Sequence, residues 1–121
     1  MARSLCVLVT DAPYGTLQPG EAIRHARGAL AKGWEVVLAF TGDSVYTLLP
    51  GQSPPPGEWV GLSEAMADLI DDGQERATVL ADDRALEARG LSAGDLIPGV
   101  RPAPLDEIAR ATAHCERALI F

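Results

Sequence analysis

The sequence predicts a single α/β domain built as a layer sandwich, with a mostly parallel sheet of four or five strands. Short apolar runs without polar alternation occupy residues 5–10, 35–40 and 77–81. Such runs are typical of strands buried on both faces, the usual setting of a parallel sheet. Between them lie segments whose apolar residues recur at spacings of three and four, as the helices of strand–helix–strand crossovers do.

The length and composition agree with one domain over residues 1–121. The 47% hydrophobic and 22% charged content is that of an ordinary globular protein, and 121 residues are too few for two cores. No apolar run approaches the ~20 residues that cross a bilayer, and residues 1–4 lack the apolar segment of a signal peptide. We therefore expect a cytoplasmic protein that does not contact a membrane.

The charge and the cysteine count exclude several classes. The net charge is −7 and Lys32 is the single lysine, so we expect no nucleic-acid partner, which would require a basic face. The two cysteines are too few for a disulfide scaffold. With no CxxC motif and no His/Cys cluster, the sequence predicts neither a structural metal nor a cofactor.

The first half of the chain divides cleanly. After the strand at residues 5–10, the helical pattern runs over residues 22–34, and Gly33 is a suitable residue to end the helix. The strand at 35–40 is followed by turn residues and by 45–49, which fit either a short helix or irregular chain. Residues 50–57, with four prolines and two glycines, predict a surface loop.

The second half of the chain continues the alternation of strands and helices. A helix is predicted over residues 59–71, the third strand over 77–81, and a short helix from residue 82 to Gly90. Ser92 or Asp95 could cap a single turn, and Val100 could open a short strand.

A last helix and strand complete the predicted order. Pro104 suits the start of a helix whose apolar face includes Leu105 and Ile108. Residues 118–121 form a final strand, expected to be central and buried.

The loop after the first strand is the leading candidate site. In parallel sheets, ligands collect where the strands end, and this loop contains Asp11, Tyr14 and Gly15. Tyr14 offers an aromatic ring and a hydroxyl, and Gly15 permits backbone conformations that other residues resist. A plain turn into the next helix, capped by Thr16 or Gln18, explains the same residues equally well.

Two acids, Asp82 and Asp83, follow the third strand at the same edge. With Asp11 they could hold a divalent cation. The alternative that we favour is the start of a helix, where acidic side chains are stabilised by the helix dipole.

For both cysteines, a packing function is favoured over a reactive thiol. Cys6 falls inside a predicted buried strand. Cys115 lies near the end of the last helix, between His114 and Arg117, and a reactive thiol there would need exposure and a nearby cation. His25 lies in mid-helix, and no Ser–His–Asp set can be assembled from spacing alone.

Four segments together resemble the DsrE/TusD-type family of small α/β subunits of sulfur-relay complexes. The resemblance rests on the order and spacing of the segments and runs from the first strand to the last residue. They are Val9-Thr10-Asp11-Ala12-Pro13-Tyr14-Gly15-Thr16, Phe40 with Gly42-Asp43-Ser44-Val45-Tyr46, Ala85-Leu86-Glu87-Ala88-Arg89-Gly90-Leu91, and Ala113-His114-Cys115-Glu116-Arg117-Ala118-Leu119-Ile120-Phe121. The resemblance implies a DsrE-like fold of the flavodoxin-like or Rossmann-like kind.

The chain departs from the family at one position. The resemblance implies a sulfur-accepting cysteine just after the third strand, about eight residues before the glycine of the third segment. Counting back from Gly90 gives Asp82, flanked by Ala81 and Asp83. None of these residues can carry a persulfide.

Three functions follow as alternatives. The first is a sulfur-relay subunit without the sulfur-carrying thiol, which assembles as a trimer or hexamer with itself or with related subunits, as the resemblance implies. The second is a small-ligand or metal-binding domain that uses Asp11, Tyr14, Gly15, Asp82 and Asp83. The third is a sulfurtransferase that uses Cys115. We expect exposed apolar residues at Val45, Tyr46, Leu48, Leu49 and Trp59 to support self-assembly.

Overall fold

The computed structural model describes residues 3–57 and 61–121, which form one five-stranded, entirely parallel sheet in the order β4-β3-β2-β1-β5. The strands are β1 (Ser4–Val9), β2 (Glu35–Phe40), β3 (Ala77–Asp82), β4 (Val100–Ala103) and β5 (Arg117–Ile120). The α-helices are α1 (Gln18–Ala31), α2 (Leu62–Gly73), α3 (Asp83–Ala88) and α4 (Leu105–His114). The predicted fold class is confirmed.

The two faces of the sheet are covered unequally. On one face, alternate residues such as Val7, Leu38 and Val79 pack with the apolar sides of α1 and α2 in the main core. The opposite face has a smaller core, in which Ala39 and Leu80 meet Ile108 of α4. Because both faces of β1–β3 are covered, these strands could be predicted from their continuous apolar runs.

The details of several predicted elements are also settled. Gly33, at a φ of 85°, follows α1 as expected, and Val100 opens β4. The uncertain segment after β2 is a 3₁₀ helix, Gly42–Leu48. Ser92 and Asp95 form a capping box at the start of the 3₁₀ turn Ala93–Asp95, in which the Asp95 carboxylate accepts the Ser92 N–H at 2.9 Å. Helix α2 begins at Leu62, while Trp59, where the prediction began it, lies outside the described residues.

The prediction that the last strand is central and buried is wrong. β5 lies at the edge of the sheet and all four of its residues are exposed. The reason is that the helices cover the middle of the sheet, since α1 packs on β1 and β2 and α4 packs on β2 and β3. Phe121 nevertheless ties the chain to β1, since its N–H donates to the Leu8 carbonyl and its own carbonyl accepts the Thr10 N–H, both at 2.8 Å.

The expected apolar surface also differs from the observed one. Val45 and Leu48 are fully buried, because the 3₁₀ helix turns them into the main core. Leu49 is half-buried and Tyr46 is 39% exposed. Leu105, expected on the buried face of α4, is 51% exposed because it opens the helix.

The most exposed large apolar side chains lie elsewhere. They include Leu17 at 71% exposure and Ile120 at 73%. None of the helices within residues 3–57 and 61–121 has the length and apolar character needed to cross a bilayer.

Candidate functional site

The candidate site lies at the carboxyl edge of the sheet, where β1, β2 and β3 each end. The loop after β1 contains Asp11 and Tyr14, the chain after β2 is the 3₁₀ helix Gly42–Leu48, and β3 runs directly into α3. Because the strands are parallel, all three connections leave from the same edge.

Asp82 is the last residue of β3 and the N-cap of α3. Its side chain is 6% exposed, and its Oδ1 accepts the Arg84 backbone N–H at 3.1 Å. A carboxylate at this position satisfies one of the N–H groups that a helix leaves unpaired at its start. The helix-start interpretation of Asp82 is therefore what the structure shows, and Asp83 lies exposed in the first turn beside it.

Asp11 belongs to the turn that leads into α1. Its Oδ2 accepts the Thr16 hydroxyl at 3.0 Å, and the Thr16 Oγ1 in turn accepts the Gln18 N–H at 3.2 Å. The Asp11 carboxylate is therefore hydrogen-bonded within its own loop.

Tyr14 connects three segments of the chain. Its hydroxyl donates to Gln52 Oε1 at 2.7 Å and accepts the Leu62 N–H, at the start of α2, at 3.0 Å. The unusual backbone conformation that Gly15 would permit lies at Tyr14 instead, whose φ is 64°. A non-glycine residue in this region is uncommon, and the same residue makes both hydroxyl contacts to other segments.

Gln52 is a residue that the sequence did not single out. Its Nε2 donates to the Thr47 and Leu49 carbonyls, both at 2.8 Å. The proline-rich segment predicted as a surface loop is therefore anchored to the 3₁₀ helix and, through Tyr14, to the loop after β1. In the sequence, a glutamine within a proline-rich segment has no pattern that would predict these contacts.

Arg89 and Asp43 join α3 to the 3₁₀ helix. The Arg89 Nη2 lies 2.6 Å and its Nε 3.1 Å from Asp43 Oδ1, while its Nη1 donates to the Ala85 carbonyl at 3.0 Å. The guanidinium carbon also lies 5.9 Å from the centre of the Tyr46 ring. The fold thus brings together two of the segments that carry the family resemblance.

The cation hypothesis gains no support from this arrangement. Within residues 3–57 and 61–121, no group of three or more His, Cys, Asp or Glu side chains is placed to hold a metal ion. Asp11 and Asp82 are instead bonded within their own turns.

The two cysteines lie away from this edge, near the amino ends of the strands. Cys6 is fully buried, with its Sγ 3.3 Å from Thr112 Oγ1. Cys115 caps the end of α4 and is half-buried, lining an open groove of about 330 Å³ with Ser4, Glu35 and His114. Burial, with the neighbouring Cys6, raises the pKa of the Cys115 thiol. A raised pKa reduces the thiolate that sulfur transfer needs, and so disfavours Cys115 as the carrier.

The histidines have structural contacts. The His25 Nδ1 lies 2.8 Å from the Glu21 carbonyl oxygen, and its ring centre is 5.2 Å from that of Phe121. His114 ends α4 and lines the groove beside Cys115.

The class of protein follows from the fold and the site together: a small parallel α/β sandwich in which a helix start, a 3₁₀ helix and a Tyr-anchored loop meet at the carboxyl edge of the sheet. The model of the DsrE/DsrF-like family matches residues 3–121. The chain belongs to this family.

Individual relatives extend over most of this chain. An uncharacterised protein of Methanopyrus kandleri is 31% identical and covers 97% of this chain and 93% of its own length. The sulfurtransferase TusD of Cronobacter sakazakii is 27% identical, with 95% and 97% covered. The intracellular sulfur oxidation protein DsrF of Allochromatium vinosum is 31% identical, with 80% and 70% covered.

A solved structure shows the same fold. The crystal structure of the ychN protein of E. coli superimposes with a TM-score of 0.86 at 24% identity, with all of both chains covered.

Proposed function

We propose that this chain is a sulfur-relay subunit that does not itself carry sulfur, because Asp82 stands at the position where the resemblance places the acceptor thiol. The observation that carries the proposal is Asp82, a buried carboxylate committed to the Arg84 N–H. Membership of the DsrE/DsrF-like family, with TusD and DsrF among the relatives, supports the sulfur-relay part.

The chemistry explains why Asp82 removes the carrier function. In sulfur relay, an acceptor thiolate attacks the outer sulfur of a donor persulfide, the donor thiolate leaves, and the acceptor keeps the sulfur as its own persulfide. The carboxylate of Asp82 cannot form that sulfur–sulfur bond. What Asp82 does provide is the N-cap of α3. This cap holds the start of the helix in place at the carboxyl edge of the sheet without supplying a nucleophile.

The subunit acts through assembly in this proposal. A chain that keeps the fold but lacks the thiol would contribute structure to a complex with itself, as a trimer or hexamer, or with thiol-bearing related subunits in the cytoplasm. Asp11, Tyr14 and Gly15 lie in the connection after β1, and Asp83 follows Asp82 in the connection after β3, at the same carboxyl edge of the sheet. We propose them as the contact set through which this edge meets a partner subunit or a small ligand.

Intact mass after incubation with a persulfide donor tests the proposal. We expect the folded wild-type protein to show no stoichiometric gain of one sulfur atom after unbound donor is removed. A full gain would contradict the proposal. The Cys115→Ser variant, measured in parallel, would then show whether Cys115 is the acceptor.

A further inference from the structure

Strand β5 leaves one edge of the sheet open. It pairs with β1 on one side, and no other strand within residues 3–57 and 61–121 pairs with its outer side. Ile120 is 73% and Leu119 37% exposed on this strand. An unpaired edge presents its N–H and C=O groups to any strand that can reach them.

The opposite edge of the sheet is protected against such pairing, whereas β5 is not. In β4, Pro102 has no N–H to donate, and the neighbouring Arg101 carries a charge that is held 2.7 Å from Glu107 Oε2. Prolines and charges are the devices by which proteins block edge-to-edge pairing. β5 has the sequence Arg-Ala-Leu-Ile, with no proline and with its charge at the first residue.

We infer that β5 pairs antiparallel with β5 of a second copy of this chain, about a two-fold axis at Leu119. The inference specifies one interface of the self-assembly proposed above and rests on that proposal. Two copies that meet through the same edge are related by a two-fold axis, and this makes the paired strands antiparallel. Every copy carries the matching edge, so no other chain is required.

The backbone hydrogen bonds to β1 determine which N–H and C=O groups at the end of the chain face outward. Both the N–H and the C=O of Phe121 bond to the β1 side, to Leu8 and Thr10 respectively. Since the backbone groups of successive residues point to opposite edges of a strand, those of Ala118 and Ile120 point outward. With the axis at Leu119, Ala118 of one copy exchanges both hydrogen bonds with the partner's Ile120, and Ile120 does so with the partner's Ala118.

The side chains fit this register. Leu119 lies opposite its own symmetry mate in a pair without direct hydrogen bonds, the kind in which side chains approach closely. Ile120 lies opposite the partner's Ala118, a small residue. Arg117 is two residues from the axis, so the two copies of this charge are separated by about 14 Å along the strands. Apolar surface that a single copy exposes at Leu119 and Ile120 is thereby removed from water.

Cross-linking in a Cys115→Ser background tests the register. Residues directly opposite in an antiparallel pair have Cβ atoms about 4.5–5.5 Å apart, within reach of a disulfide after small adjustment. We expect Leu119→Cys to give mostly a covalent dimer under mild oxidation on a non-reducing gel. Arg117→Cys, exposed on the same strand but far from its own copy in this register, is the matched control and should remain a single chain.

The mass in solution, measured by light scattering, separates the two proposals. A two-fold interface joins chains in pairs, so of the two assemblies proposed above it fits the hexamer and not the trimer. We expect the wild-type protein to contain an even number of chains, and we expect Leu119→Lys, which places like charges face to face, to halve the mass. Arg117→Lys is the control and should leave it unchanged. A wild-type mass of one chain would overturn the self-assembly itself. An oligomer with an odd number of chains, an oligomer that Leu119→Lys leaves intact, or equal cross-linking of both cysteine variants would overturn this interface alone.

Discussion

Arg89 donates two hydrogen bonds to a single carboxylate oxygen of Asp43, from Nη2 at 2.6 Å and from Nε at 3.1 Å. The Arg89 side chain is 22% exposed and that of Asp43 is 63% exposed. The contact fixes α3, which Asp82 caps, against the 3₁₀ helix that follows β2. The arrangement of the candidate site therefore depends on a pair of residues 46 positions apart in the sequence.

Removing Arg89 should cost more than removing its partner. We expect Arg89→Ala to lower the free energy of unfolding by about 1–2 kcal/mol, because it also removes the bond to the Ala85 carbonyl. Asp43→Ala should cost about 0.5–1 kcal/mol, because solvent screens the pair on the Asp43 side. Urea unfolding of both variants and of the double variant gives the coupling energy. Equal costs for the two single variants would contradict this account.

The capping bond of Asp82 predicts a graded series. Asp82→Ala should lower the free energy of unfolding by about 1 kcal/mol, since the Arg84 N–H loses its acceptor. Asp82→Ser keeps an oxygen in capping position and should cost less. Thermal unfolding of the two variants measures the difference, and an Asp82→Ala variant as stable as the wild type would show that the cap contributes nothing.

The Tyr14 hydroxyl should stabilise the loop after β1. Tyr14→Phe keeps the ring but removes both the bond to Gln52 and the acceptor for the Leu62 N–H. We expect a loss of about 1–2 kcal/mol in the free energy of unfolding. Hydrogen exchange of the Leu62 amide should accelerate in the same variant. Unchanged protection of that amide would refute this function of the hydroxyl.

Two helical glycines should respond in opposite directions to alanine. A Cβ at Gly28 of α1 would meet nothing within 4 Å, so Gly28→Ala should stabilise the protein by about 0.5–1 kcal/mol. A Cβ at Gly73 would lie 2.5 Å from the Ala77 Cβ, so Gly73→Ala should destabilise it. Guanidinium unfolding of the matched pair measures both signs, and a shift in the same direction for both would contradict the packing described.

The raised pKa of Cys115 predicts slow alkylation in the folded state. Because burial and Cys6 disfavour the thiolate, iodoacetamide should modify Cys115 more slowly at neutral pH than it modifies the unfolded chain. The rate should still rise at a pH at which an ordinary cysteine has already reached its plateau, because the thiolate forms at a higher pH. Mass spectrometry of the wild type against Cys115→Ser follows this site, and fast modification at pH 7 would contradict the environment described.

The fold was predictable because its signals are local. β1, β2 and β3 are buried on both faces. Strands of this kind have continuous apolar runs in the sequence. The ends of α1 and α3 were marked by Gly33 and Gly90, which have positive φ. The position of the last strand was not predictable in this way, because an apolar tetrapeptide has the same sequence pattern at an edge as in the centre.

The site was predictable only in part. Its place at the carboxyl edge and the helix-start function of Asp82 follow from strand order and helix chemistry. The contact of Gln52 with Tyr14 and that of the Ser44 Oγ with the Val9 carbonyl oxygen, at 2.7 Å, each join residues more than thirty positions apart. Such long-range polar contacts leave no periodicity in a single sequence.

The most direct test of the central claim places a thiol where Asp82 stands. Asp82→Cys, Asp82→Ser and the wild type are incubated with the same persulfide donor, and intact mass with peptide mapping locates any added sulfur. The account predicts one added sulfur at position 82 in Asp82→Cys, and none in Asp82→Ser or in the wild type. A wild-type protein that gains a full equivalent of sulfur would contradict it.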